Sequence, residues 1–359
     1  MPPPPKTRLH GRMTSLPILD LARWTRDAAD CRALAADLDA AAGEVGFFQL
    51  VGHGVPADLV ERARSITDEY FALELEEKLP HRPPSAEINR GYAPRNSESL
   101  AYSLGGGATP RPPDLFEAFN IGEEGWPAHD PVYASRAHDI FAANIWPARP
   151  VGFHEAVMAY FAAVKDLAWR FSRVVATALG LDETFFNHKI DHSTNLLRII
   201  SYATGATDPD PLERQIGMGA HSDYGLFTIL YADPVPGLQV VGPDGAWHDA
   251  VPHPGAFVVN IGDLMAQWTN DRWRSTLHRV LPPARPERGV NRRRSMAFFF
   301  DGNWDMAVAA LPTCVSADNP AKYPSVMAGD HLMAKLLGPR LLQASKAAST
   351  VGDRGAALD

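Results

Sequence analysis

Within Gly219-Ala220-His221-Ser222-Asp223-Tyr224-Gly225, an imidazole and a carboxylate stand two residues apart, and the apolar run Leu226-Phe227-Thr228-Ile229-Leu230 follows. On an extended strand, side chains at i and i+2 leave the same face, so His221 and Asp223 can share one metal ion. A divalent iron site of the two-histidine, one-carboxylate kind needs one more imidazole and keeps its other positions open. His278, in Ser275-Thr276-Leu277-His278-Arg279-Val280, is the candidate, because a rolled sheet brings sequence-distant strands together. Farther on comes Arg293-Arg294-Ser295. Positions 293 and 295 again share one strand face, and a guanidinium beside a hydroxyl suits one end of a dicarboxylate. The open metal positions then receive the other end of that acid. Arg294 is expected to point away, as the solvated member of the run.

These residues need strands to carry them. From Asn195 onward, strand-like runs alternate with turns: 196–202, 221–231, 237–241, 256–261, 275–281 and 295–301. Asp233-Pro234, Pro236-Gly237, Pro243-Asp244-Gly245 and Pro254-Gly255 separate them. Short strands at this spacing predict a double-stranded β-helix, a jelly-roll, cupin-like core flanked by helices, in an α+β, mainly β chain. Apolar residues recur at three or four positions from Phe153 to Leu179, which predicts a helix packed on that core. Earlier, 16–21 and 47–51 read as strands, about 30–42 and 57–79 as helices, and the Pro-, Gly- and Ser-rich stretch 80–130 as loop. Gly105-Gly106-Gly107 lacks the flanking residues of a phosphate loop. Leu332, Leu336, Leu337, Leu341 and Leu342 mark a closing helix, interrupted near Gly338-Pro339. The expected division is a proline-rich tail over 1–15, an N-terminal region over 16–125 packed on the core, a helical segment over 126–194, the jelly-roll core over 195–305 and a helical closure over 306–359. His53, between two glycines, reads as a turn histidine. His188 and His192 read as a surface pair.

The chain has 359 residues, 45% hydrophobic and 21% charged, enough apolar material for a large core. A net charge of −8 argues against nucleic acid or an anionic membrane as partner. There is no run of transmembrane length and no signal-peptide hydrophobic segment. Cys31 and Cys314 require no bridge, which fits a cytoplasmic protein. The oligomeric state is not encoded in any motif.

Taken together, LPILDL (16–21), GFFQLVGHGVP (46–56), the His-Ser-Asp triplet, Asn260-Ile261-Gly262-Asp263, Trp268-Thr269-Asn270-Asp271-Arg272-Trp273, STLHRV (275–280) and Arg293-Arg294-Ser295 make the chain resemble the isopenicillin N synthase-like family of iron(II)/2-oxoglutarate-dependent dioxygenases, from about Leu16 to Asp330. The resemblance implies His221, Asp223 and His278 as Fe(II) ligands, with Arg293 and Ser295 on the distal carboxylate of 2-oxoglutarate. Tyr202 stands where the family's Asn-Tyr-Tyr-Pro segment has its last tyrosine, a further cosubstrate contact, although here the segment reads Ile200-Ser201-Tyr202-Ala203. It also implies consumption of dioxygen, decarboxylation of 2-oxoglutarate to succinate and carbon dioxide, and hydroxylation, desaturation or cyclisation of a small molecule. Candidate substrate contacts are Arg198, Tyr224, Phe298 and Phe300, although alternation puts the two phenylalanines on the face opposite Arg293. Two other readings compete: an oxidase of the same family that needs no 2-oxoglutarate, and a non-catalytic cupin-type binding barrel.

Overall fold

The computed structural model describes residues 15–25, 27–85, 87–100, 112–212 and 215–336. The expectations for the proline-rich tail, for Gly105–Gly107 and for Leu337 onward lie outside the described residues.

Twelve strands build the frame: β1 (Ile18–Asp20), β2 (Phe47–Val51), β3 (Gly91–Ala93), β4 (Phe116–Gly122), β5 (Leu196–Gly205), β6 (Met218–His221), β7 (Phe227–Ala232), β8 (Leu238–Val241), β9 (Trp247–Asp249), β10 (Phe257–Ile261), β11 (His278–Val280) and β12 (Val290–Phe300). They form an eight-stranded sheet in the order β1-β2-β10-β7-β12-β5-β4-β3 and a four-stranded sheet in the order β6-β11-β8-β9. The pairing of non-consecutive strands across two facing sheets is that of a jelly roll.

The N-terminal region does more than pack on this roll, because β2 and β4 are hydrogen-bonded into the large sheet. Strand β4 falls inside the stretch read as loop. Its sequence FEAFNIG carries the alternation of a strand, but the prolines and serines around it hid the pattern. The helix read over 57–79 ends at Phe71, and a short turn of helix, Leu75–Lys78, follows. The run 221–231 is two strands, and the chain turns between His221 and Phe227. Strand β12 begins earlier than expected, at Val290, so both Arg293 and Ser295 lie well inside it.

Two cores follow from strand alternation. One face of the large sheet packs under the helical layer, chiefly the helix Phe153–Ala178, through Leu197, Ile199, Met296, Phe298 and Phe300. The other face, with Phe47, Phe116, Ile200 and Tyr202, meets Met218, Leu238, Val240 and Val280 of the small sheet. Burial of that much apolar surface, at about 25 cal/mol per Å², fixes the register of each strand, since a slip by one residue would exchange the two faces. Between the sheets the roll keeps a cavity of about 540 Å³. The described part of the closing helix, 328–336, brings Leu332 and Leu336 to the rim of this cavity. Lys335 pairs with Asp263 at 2.6 Å and ties that helix to the short helix Asp263–Trp268 beside the site.

Candidate metal centre and cosubstrate pocket

His221 ends β6 and His278 opens β11, and the two residues are register partners across antiparallel strands. Their ring centroids lie 4.2 Å apart. Asp223 does not share a strand with His221. It sits in the turn after β6, where its carbonyl accepts from the Asp263 amide at 2.8 Å, while the Tyr224 carbonyl accepts from Leu264 at 3.1 Å. One donor atom from each of the three residues falls within 4.8 Å of the others. Nε2 of His221 is 3.8 Å and Nε2 of His278 is 3.6 Å from Oδ1 of Asp223.

The surroundings fix which atoms face inward. Nδ1 of His221 lies 2.8 Å from the Gly219 carbonyl and Nδ1 of His278 lies 3.1 Å from the Thr276 carbonyl. A carbonyl can only accept, so Nδ1 carries the proton in each ring and Nε2 keeps its lone pair. Oδ2 of Asp223 accepts from Thr228 Oγ1 at 2.5 Å and from Asn260 Nδ2 at 2.7 Å, which leaves Oδ1 free. Phe47 packs edge-on against His278, with ring centroids 5.1 Å apart. Burial, followed by the neighbouring His278, pushes His221 down to about 4, so its imidazole is neutral at physiological pH. Burial pushes Asp223 up, but the two histidines and its two hydrogen bonds outweigh this and hold it below the ordinary carboxylate range. Neutral imidazoles and an ionised carboxylate are the forms that bind a divalent cation.

Arg293 lies 1% exposed, with its guanidinium 5.3 Å from the centre of the Tyr202 ring. Its Nε and Nη1 are buried without a protein partner. Leaving charged donors unpaired in this way is costly unless an anion meets them. Ser295, on the same face, is also buried. The Tyr202 hydroxyl reaches Met218 Sδ at 3.7 Å, between the two sheets. The donor set and the orphaned guanidinium nitrogens therefore fit a divalent metal with a dicarboxylate beside it.

Other expectations are corrected. Arg294 does point away from Arg293, but into protein: it is 6% exposed, ion-paired with Asp68, and donates to Ser201 Oγ at 2.8 Å. The outer face of β12 is covered by the helical layer, not by solvent. Phe298 and Phe300 lie in that same layer, against Phe161 and Phe227, and do not reach the cavity. The residue between them, Phe299, lines it. Arg198 and Tyr224 both line it. Arg198 is bonded to Glu98 at 2.8 Å and keeps an unpartnered Nε. His53 is a turn residue: its Nδ1 accepts from the Val55 amide and its Nε2 donates to the Gly255 carbonyl. The side chain of His188 is 98% exposed, whereas His192 is only partly so and packs against Tyr133. Cys31 and Cys314 are free thiols.

Two family profiles match the chain: one described as non-haem dioxygenase in morphine synthesis N-terminal over residues 16–149, and one described as 2OG-Fe(II) oxygenase superfamily over residues 194–302. A 2-oxoglutarate-Fe(II) type oxidoreductase of Emericella nidulans is 35% identical over 322 residues, 88% of each chain. The chain belongs to the 2OG-Fe(II) oxygenase superfamily. A homoarginine-6-hydroxylase of Oryza sativa is 33% identical, covering 84% of this chain and 87% of its own. Among solved structures, Neurospora crassa T7H in complex with alpha-KG and thymine superposes with a TM-score of 0.76 at 29% identity, over 90% of this chain and 96% of that one. This 2OG-Fe(II) oxygenase is thus an Fe(II)- and 2-oxoglutarate-dependent oxidoreductase with a jelly-roll core.

Proposed function

We propose that the oxygenase holds Fe(II) through Nε2 of His221, Oδ1 of Asp223 and Nε2 of His278, and 2-oxoglutarate through Arg293, Ser295 and Tyr202. The observation that carries this reading is the pairing of a converged triad with a buried guanidinium whose Nε and Nη1 have no protein partner. Arg293 and Ser295 bind the distal carboxylate by charge-assisted hydrogen bonds, and the Tyr202 ring covers one face of the Arg293 guanidinium. Asn260, Thr228 and Phe47 hold the ligands in place, and the apolar walls exclude water from the reacting centre. Bound there, Fe(II) supplies the redox chemistry that couples decarboxylation of 2-oxoglutarate to oxidation of the substrate.

The substrate is a small molecule, taken in the outer part of the cavity beside Arg198 and Tyr224. The cavity volume supports this, as do the thymine-bound relative and the homoarginine hydroxylase. The two unbridged cysteines accord with a cytoplasmic location, and no helix among the described residues is long and apolar enough to cross a membrane. The test is anaerobic titration with Fe(II) and 2-oxoglutarate, followed by measurement of succinate release on admission of oxygen. The reading predicts one iron per chain and succinate formed only with both present. Oxygen uptake at full rate without 2-oxoglutarate would overturn it.

A further inference from the structure

Four carboxylates line the cavity among the described residues: Glu98, Glu123, Asp223 and Asp301. Three of them are engaged. Glu98 binds Arg198 at 2.8 Å, Glu123 binds Lys165 at 2.8 Å and Asn195 at 3.0 Å, and Asp223 holds Thr228 and Asn260. Asp301 has no hydrogen-bond donor and no cationic partner among the described residues.

Its placement is specific. Asp301 directly follows β12 and continues the row Arg293, Ser295, Ala297, Phe299 along the cavity face. It is therefore the far end of a line that begins at the cosubstrate arginine. Gly225, in the turn just past Asp223, makes room for it: a Cβ there would lie 1.7 Å from Asp301 Oδ1. The Leu226 amide donates to the Phe300 carbonyl at 3.0 Å and locks this end of β12 to that turn. Part-way along the row, Arg198 faces Ala297 on one side and Asn120 on the other. Nε of Arg198 and Oδ1 of Asn120 are both buried and unpartnered. Four residues of strand, about 13 Å at roughly 3.3 Å each, separate the Ala297 position from Asp301.

We propose that Asp301 is a specificity-determining residue that binds a cationic group of the substrate, an ammonium or guanidinium. A half-buried acid that lines the cavity with no partner gains most from a ligand that brings both charge and N–H donors. Arg198 Nε and Asn120 Oδ1 serve the polar groups at the substrate's other end. The substrate class is thus a small, elongated amine or guanidine with a second polar terminus. This inference rests on the proposed iron and 2-oxoglutarate sites, which place Asp301 on the substrate side of the metal.

The experiment uses the full chain loaded anaerobically with Fe(II) and 2-oxoglutarate, and measures binding by calorimetry. Two matched probe pairs are used, L-arginine against L-citrulline and L-lysine against L-norleucine. The cationic member of at least one pair is expected to bind tenfold or more tighter than its neutral counterpart. Asp301→Asn is expected to bring that preference within twofold and to leave Fe(II) and 2-oxoglutarate affinities unchanged. Equal binding within both pairs, no binding of either cation, or a preference that survives in Asp301→Asn would overturn the inference. If Asp301→Asn fails to fold, Asp301→Ser is measured in its place against the same twofold criterion. Failure to load Fe(II) or 2-oxoglutarate is a separate result: it overturns the proposed sites, and the inference falls with them.

Discussion

Asn260 and Thr228 face each other in register on β10 and β7, and both donate to the same oxygen of Asp223. Two neighbouring strands of the large sheet thus aim a carboxylate that belongs to a turn. Asn260→Ala or Thr228→Val should lower Fe(II) affinity by about 10–100-fold, the usual effect of losing a group that orients a metal ligand. Circular dichroism should stay unchanged. Competition with a calibrated chelator under anaerobic conditions measures the affinity.

The triad itself is expected to be indispensable. His221→Ala, Asp223→Ala and His278→Ala should each cut 2-oxoglutarate-dependent succinate release by at least about a hundredfold. The thermal transition of the metal-free protein should move little for the two histidine variants, whereas Asp223→Ala should lower it, because Thr228 and Asn260 lose their buried acceptor. Full activity in any of the three would remove that residue from the metal site.

Arg293 and Arg294 are adjacent, both buried, and should give opposite phenotypes. Arg293→Met should raise KM for 2-oxoglutarate by about 10–100-fold, from the ~1.5–3 kcal/mol of a hydrogen bond to a charged group. Ser295→Ala should raise it by several-fold at most. Steady-state kinetics with 2-oxoglutarate as the varied substrate separates these from effects on kcat.

Arg294→Met should instead lower stability, because it strips a partner from Asp68 and Ser201 beneath the helices. Asp68 keeps Arg64 at 2.7 Å and is partly exposed, so the loss is about 1–2 kcal/mol. KM for 2-oxoglutarate should not change. Differential scanning fluorimetry beside the same kinetics tests both halves of the contrast.

Asp114 gives a pH dependence whose sign is fixed. It accepts from the Leu100 amide at 2.8 Å and from the Gly219 amide at 3.0 Å, and burial pushes it up to about 7. Its unfolded value is about 3.9, so the native state holds a proton that the unfolded chain releases. The stabilisation is complete below about pH 4 and is lost as pH rises through about 7. The contribution of Asp114 to Tm should therefore fall between pH 5 and pH 8, and the difference between wild type and Asp114→Asn should show that component. Thermal scans across this range provide the measurement.

The chemistry was legible where it resides in residue type and spacing. His221, Asp223 and His278 stand out by type and spacing and converge on one point, and Arg293 and Ser295 line the same cavity. Strand alternation also sorted Arg293 from Arg294 correctly. It could not say that the far face of β12 lies under helices, because that depends on Phe153–Ala178 crossing the sheet. Thr228 gave no signal, and Asn260 stood only within a motif without a role of its own, for a related reason: an asparagine and a threonine on strands look like ordinary sheet residues until the register brings both to one oxygen. Asp301, read as the last residue of the strand run 295–301, carries no signal of its own until Gly225 is seen to leave it space.

The alternation of β12 has a further consequence for how this enzyme tolerates change. Deleting or inserting a single residue between Arg294 and Ala297 would rotate every side chain before the lesion by half a turn of the pleat relative to those after it. Arg293 would then be buried against the helices, and its ion-paired neighbour Arg294 would face the cavity. Length in this strand is accordingly as constrained as any ligand, and natural variation in the chain should accumulate as substitutions here and as indels elsewhere.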